Sequence, residues 1–426
     1  MSAELPLGGS RLVPKGWTLY SVDEIKSKEK YACVAGPFGS SISSKYFTEE
    51  GVPIIRGSNL KDDLTRFVSH DFAFVSEEQA KNYPSQHVRG GDLVFTCWGT
   101  IGQVGIIPED GPYPEYIISN KQLKLRVNPE IADSLFVYYY LASREGVEHI
   151  RSRAIGSAVP GINLGILKSL TLALPPLVIQ QRITEILSNY DRLIDNNTRR
   201  IALLEESIHR LYQEWFVYLR FPGCDRVAIV DGVPEGWKRI TAEQAIDFKP
   251  KTSALKGVER PFVPMDSLST NLMTIAEIDL RPVGGGAKFR NGDTLLARIT
   301  PCLENGKTAF VQFMDDPVMV ASGSTEFIVM RSKQVTPYWV YCLGRSYNFR
   351  QHAINSMAGS DGRQRVKPEA LEQFELLLPP SPILKKFDEI ASPTFRQIQL
   401  LNSQTQKLRE ARDLLLPRLM NGSLAV

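Results

Sequence analysis

Apolar residues along this chain follow two different periods. Short runs with alternating apolar and polar positions, Asp92 to Thr96, Gln122 to Val127, Thr294 to Ala297 and Glu326 to Met330, predict strands, and Leu135 to Ile150 and Tyr338 to Ile354 predict helices. Two stretches are far longer. One passes through Ile179, Ile183, Ile186, Tyr190, Leu193, Ile201, Leu204, Ile208 and Leu211 to Trp215; the other passes through Ile383, Phe387, Ile390, Ile398, Leu401, Leu408 and Leu415 to Leu419. Steps of three and four put each set on one face of a helix. Each pattern persists for about 40 residues, which is about 60 Å of helix at 1.5 Å per residue.

A rod of that length with a narrow apolar seam needs a partner seam, and the other rod is the nearest one, so the pattern predicts a coiled coil. The seam positions expected to pack are Ile183, Ile186, Leu204 and Leu211 against Phe387, Ile390, Leu408 and Leu415. Arg199, Arg200, Glu205 and Glu206, with Lys407, Arg409, Glu410 and Arg412, read as polar flanks. Pro393 is expected to kink or interrupt the second helix, because it lacks an N–H and its ring crowds the preceding turn.

The two rods are part of a larger repetition. Pro14-Lys15-Gly16-Trp17 recurs as Pro234-Glu235-Gly236-Trp237, Gly91-Asp92 as Gly292-Asp293, Ser119 to Arg126 as Ser324 to Arg331, and Gly156-Ser157 as Gly359-Ser360. Leu170 to Pro176 recurs as Phe374 to Pro380, an alternating run ended by two prolines, 204 residues further on. A repeat of that size is a domain rather than a solenoid unit. The fold predicted is mixed α/β: two similar globular copies, residues 1–176 and 220–380, each followed by a long helix, 177–219 and 381–426.

Composition narrows the function. With 43% hydrophobic and 23% charged residues the chain is of ordinary globular type, and its 426 residues fit two to three domains at roughly 150 each. Five scattered cysteines without a Cys-x-x-Cys pair argue against a disulfide framework or a structural zinc site, and point to a reducing cytoplasm. No stretch approaches the ~18 to 20 apolar residues of a membrane span, so no membrane partner is expected. A net charge of +3 supplies little long-range attraction to nucleic acid, which would have to be held by local patches.

Motifs of catalysis are missing from the sequence: it has no G-x-x-x-x-G-K-[ST] and no G-x-S-x-G, and the five histidines are dispersed. Leu-Pro-Pro lacks the flanking residues an amino-methyltransferase uses to hold a flipped base. Positive side chains gather instead in loops at matching places in the copies. Arg151 and Arg153 flank the Ser157 loop, and Arg363 and Arg365 flank the Ser360 loop. After the Gly-Asp strands come Thr96, Trp98 and Thr100 in one copy and Arg298, Thr300, Asn305 and Lys307 in the other, residue types that contact base edges or phosphates. These thirteen are the candidate DNA-binding residues.

Two divergent copies, each ending in Leu-Pro-Pro and a long amphipathic helix, together with the two Gly-Trp openings, the two Gly-Asp strand entries and Gln180-Gln181-Arg182-Ile183 after the first Leu-Pro-Pro-Leu, resemble the specificity subunit of a type I restriction-modification enzyme. The likeness extends over essentially the whole chain. It departs where the family commonly carries Glu-Gln, since Ile179-Gln180 and Ile383-Leu384 stand here. The resemblance implies two target-recognition domains on an antiparallel helical spacer, reading a bipartite, asymmetric site on double-stranded DNA, with no catalysis in this chain. It implies two methyltransferase subunits and restriction subunits as partners, with S-adenosylmethionine, ATP and Mg2+ on those partners and no cofactor here. The alternative is a two-headed coiled-coil adaptor for protein partners, which would dimerise through its helices.

Overall fold

The computed structural model describes residues 13–426 apart from 40, 157–159, 254–256, 283 and 361. The chain divides into two compact units, Met1–Arg192 with Leu408–Val426, and Leu193–Lys407.

In the first unit, strands Cys33–Ala35, Gln122–Leu125, Leu93–Thr96 and Val104–Ile106 lie side by side, all antiparallel. A second sheet is ordered Ala73–Val75, Val52–Ile55, Tyr116–Ile118, His87–Val88, with a parallel central pair. The second unit repeats both sheets: Ile246–Asp247, Phe327–Ser332, Thr294–Ala297, Thr308–Phe310, and Asp279–Pro282, Glu259–Val263, Ala321–Gly323, Ala287–Phe289. The central strands of the first sheets, Leu93–Thr96 and Thr294–Ala297, are buried at every position, so the alternation expected there from the sequence gives way to burial on both faces. Leu93 and Phe95 pack towards helix Ser134–Ala142, whereas Val94 packs on Tyr116 and Ile118 of the other sheet. Leu296 and Leu295 divide in the same way in the second unit.

The repeated motifs turn out to be neighbours. In each copy the strand after Gly-Trp pairs with the strand before Pro-Pro, Thr18–Ser21 with Thr171–Leu174 and Lys238–Thr241 with Glu375–Leu378, so the two ends of the copy are fastened together. The turns before them are alike: Trp17 donates to the Pro14 carbonyl and Trp237 to the Pro234 carbonyl, both at 3.0 Å, with Gly16 and Gly236 at φ +86° and +85°. A side chain is strained at that φ, which explains the glycine.

The Gly-Asp aspartate and the arginine ending the Ser119 to Arg126 run also meet. Buried Asp92 takes two hydrogen bonds from Arg126, both 2.7 Å, and one from the Arg89 N–H. Buried Asp293 takes two from Arg331, at 2.7 and 2.6 Å, and one from the Arg290 N–H. Each pair ties two adjacent strands of the first sheet, and the charge-assisted, bidentate geometry offsets the desolvation of the carboxylate.

The long helices are Leu177–Tyr212 and Ser381–Met420, of 36 and 40 residues. They pack antiparallel: buried Asp191 accepts from Arg412 at 2.9 Å, while Phe216 meets Phe387 with ring centroids 5.1 Å apart. Ile183 and Phe387 are fully buried, Ile186, Leu204, Leu211 and Leu415 pack half-buried on the cores, and Leu408 is half-buried.

Four expectations are corrected. Ile390 is 45% exposed and its neighbour Ala391 takes the seam, because a straight helix turns 3.6 rather than 3.5 residues per turn and the buried stripe drifts. Glu205 and Arg412, expected on the flanks, are buried: Glu205 accepts from the Met273 N–H at 2.7 Å and from the Tyr341 hydroxyl, and Arg412 meets Asp191. Pro393 leaves the C-terminal helix uninterrupted; Pro393 and Glu389, whose carbonyl loses its partner, both face solvent. Finally, each helix expected after the strands is two, Ser134–Ala142 with Arg144–Ser152 and Pro337–Arg345 with Tyr347–Asn355, broken at Ser143 and Ser346 in extended backbone. Serine suits such a break because its hydroxyl can cap backbone groups, as Ser143 does for the Gly146 N–H at 3.0 Å.

Candidate nucleic-acid interface

In both units three loops converge where the central strand ends, held by one pattern of backbone hydrogen bonds. In the first, the Cys97 N–H donates to Lys121, the Ile162 N–H donates to Cys97, and Ile155 and Gly161 exchange two bonds of 2.9 Å. In the second, the Arg298 N–H donates to Glu326, the Val366 N–H donates to Arg298, and Ala358 and Arg365 exchange two bonds of 3.0 Å. Cys97, Lys121 and Gly161 therefore occupy the places of Arg298, Glu326 and Arg365. The frame is shared and the side chains are not.

Around the first frame the surface is aromatic and neutral to basic. Trp98, 45% exposed, lies across Gly161, where an added Cβ would come within 2.4 Å of the ring. Thr96 is buried and donates to the Gln103 side chain at 3.0 Å, which in turn donates to the Leu60 carbonyl at 3.0 Å. Thr100 is exposed. These residues line a cleft of about 480 Å³ with Phe47, Arg56, Asn120 and Lys121. Arg151 donates to the Ile101 carbonyl at 3.1 Å and so fastens the loop, while Arg153 is exposed at its edge. Ser157 lies outside the described residues.

The second frame carries an ionic cluster. Arg365 grips Glu326 through Nε, at 3.0 and 2.9 Å, and through Nη2 at 2.9 Å, and its Nη1 donates to the Arg363 carbonyl at 3.2 Å. Arg298 reaches the same carboxylate through Nε at 3.1 Å. Hydrogen bonds first from Arg365 and then from Arg298 hold the Glu326 carboxyl below the usual carboxylate range. Thr300 is half-buried, and its hydroxyl has no partner among the described residues. Asn305, Ser360 and Arg363 are exposed, whereas Lys307 turns inward to the Met265 carbonyl at 3.1 Å and Asp266 at 3.4 Å. Arg345 and Arg350 fasten the loop from behind, on the carbonyls of Gly306 at 2.8 Å and Glu304 at 3.0 Å. Burial lowers the pKa of Arg350.

Thus Thr96, Trp98 and Thr100 come together, as do Arg298 and Arg365. Sequence reasoning passed over Lys121 and Glu326. The signal was available, since they hold the same place in the matched runs starting at Ser119 and Ser324 and carry opposite charges. It also passed over Lys124, a lysine buried between the sheets where the second copy has Val329, donating to the carbonyls of Ser85 at 3.2 Å and His87 at 2.8 Å. Burial pushes its pKa down to about 8.

Among the described residues no three His, Cys, Asp or Glu side chains gather as a metal site, and no helix is long and apolar enough to cross a membrane. What both units offer at this place is the same backbone frame with different side chains.

Residues 15–206 match the family described as the type I restriction modification DNA specificity domain. Over 97% of its length the chain is 23% identical to the specificity subunit of the type I restriction enzyme MjaIX of Methanocaldococcus jannaschii, covering 95% of that protein. The MjaVIII specificity subunit of the same organism is 21% identical over 73% of this chain and 75% of its own. In fold, the chain is similar to the crystal structure of a type I restriction-modification S subunit from M. genitalium, with a TM-score of 0.56 at 14% identity over 95% of this chain and 96% of that one. Over nearly its whole length the chain is thus similar to specificity subunits of type I restriction-modification enzymes. Such subunits are the DNA-recognising, non-catalytic component, and catalysis lies on other subunits. These likenesses do not favour the two-headed adaptor.

Proposed function

We propose that the chain reads a bipartite, asymmetric sequence on double-stranded DNA, one part through residues 1–176 and the other through 220–380, with 177–219 and 381–426 as the helical spacer. The observation that carries this is the loop frame present twice with different side chains: equal frames position two readers, and unequal chemistry makes them read different bases. Thr96, Trp98, Thr100, Arg151, Arg153 and Ser157 are the contact candidates in one half, and Arg298, Thr300, Asn305, Lys307, Ser360, Arg363 and Arg365 in the other. Arg151, Arg365 and Lys307 already hold protein groups, so their contribution is to fix loops as well as to meet DNA.

The working assembly is cytoplasmic and contains two methyltransferase subunits with S-adenosylmethionine, joined in the full complex by restriction subunits with ATP and Mg2+. With a net charge of +3, the chain alone supplies little of the phosphate attraction that dominates DNA affinity. The purified chain is therefore expected to bind DNA weakly and to become tight and sequence-selective once its methyltransferase is added, measured by fluorescence anisotropy at fixed salt. Tight specific binding by the chain alone, or a methyltransferase-independent dimer with no DNA preference in the complex, contradicts the reading.

A further inference from the structure

Resting on that reading, we infer that Arg298 reads a guanine in the part of the target taken by the second unit, and that Glu326, braced by Arg365, is the positioning residue that aims it. The two arginines differ in what they have left to offer. Arg365 spends Nε and Nη2 on Glu326 and Nη1 on a carbonyl. Arg298 spends only Nε, and its two terminal nitrogens have no hydrogen-bond partner among the described residues. Those nitrogens form the planar two-donor edge that matches guanine O6 and N7, the commonest base-specific contact in the major groove.

The cluster is built for aim rather than for attraction. Its carboxylate cancels one of the two positive charges, which weakens any general pull on phosphate. In return, the guanidinium of Arg298 is fixed before DNA arrives, so less side-chain freedom is lost on binding. Backbone bonds hold all three residues on the same frame: Arg298 N–H to the Glu326 carbonyl at 3.0 Å, the Val366 N–H to Arg298 at 2.9 Å, and the Thr300 N–H to Gln364 at 3.1 Å. The first unit, with Cys97, Lys121 and Gly161 at these places, has no such device, so guanine reading by this route is confined to one part of the target.

The test uses the complex of this chain with its methyltransferase on duplexes in which each guanine of the recognised sequence is replaced in turn by 7-deazaguanine, which lacks the N7 acceptor. Wild type is expected to lose about tenfold in affinity at one position. R298A is expected to lose about tenfold on the unmodified duplex and then to be indifferent to 7-deazaguanine at that same position, while its response to base-pair changes in the other part stays that of wild type. E326Q, which keeps the shape but releases the aim, should accept A·T at that position while retaining overall salt-dependent binding. A target with no sensitive guanine, or an R298A complex that remains as sensitive as wild type, overturns the assignment. A complex with no sequence preference on any duplex would instead remove the recognition reading itself, and the assignment with it. The base-analogue series on wild type needs no variant, so misfolding of R298A cannot mask the answer.

Discussion

The two loop clusters present one backbone with two chemistries. In the first unit an indole lies over a glycine beside a lysine and a cysteine; in the second two arginines close on a glutamate. The hydrogen bonds beneath are the same, from the end of the central strand to the neighbouring loop and on to the hairpin. Architecture is thus carried by main-chain bonds and a few buried pairs, which leaves the side chains at the surface free to differ. The comparison extends inward: Asp92 with Arg126 and Asp293 with Arg331 are alike, whereas Lys124 in one copy is Val329 in the other.

The largest expected effect breaks what the copies share. Removing a carboxylate from a buried pair strands its arginine, so Asp293→Ala should destabilise the second unit by about 3 kcal/mol in urea denaturation. Asp92→Ala should cost less, about 2 kcal/mol, because Arg126 keeps Glu29 at 2.7 Å. Equal losses would mean that the Glu29 contact contributes nothing.

Next comes a position between the sheets where the copies differ in charge. Lys124 has a pKa of about 8 in the folded chain against 10.5 when unperturbed, so between those values the unfolded chain binds more protons. Stability of the first unit should therefore rise as pH increases from about 8 to 10.5, by about 2 kcal/mol, and the gain is absent below that window. K124M should remove this rise. A wild-type chain whose denaturation midpoint does not shift relative to K124M over that range contradicts the burial of a charged lysine there.

How much of this was legible in the sequence follows from how local each signal is. Strands, long helices and repeat order lie in contiguous patterns, so Leu93–Thr96, Thr294–Ala297 and both rods could be found from spacing alone. Asp92 and Arg126 stood in separate repeated motifs, and nothing linear says that their strands are neighbours. Glu326 was hidden because a search for positive charge ignores the carboxylate that orients it. Ile390 and Arg412 were misplaced since a seam drawn by residue type does not follow the slow rotation of the buried stripe, and a carboxylate such as Asp191 can draw an arginine into it.

Smaller effects sharpen the difference between the readers. Gly161→Ala should push the Trp98 ring aside and reduce affinity about fivefold through the first part of the target alone, measured by anisotropy with the complex, since the added Cβ would lie 2.4 Å from the ring. Smallest of all, Arg363→Ala at the exposed rim should weaken every sequence by about twofold and lower the salt slope without relaxing any base. A change in base preference from that substitution would move Arg363 among the readers.

The most direct measurement of the central claim is a single-molecule map of N6-methyladenine in the host genome with this chain present, deleted, and carrying W98A or R298A. The account predicts a gapped, asymmetric motif that vanishes on deletion, with each substitution relaxing positions in a different part of the motif. Methylation that persists without the chain, or substitutions in the two units that relax the same positions, would contradict it.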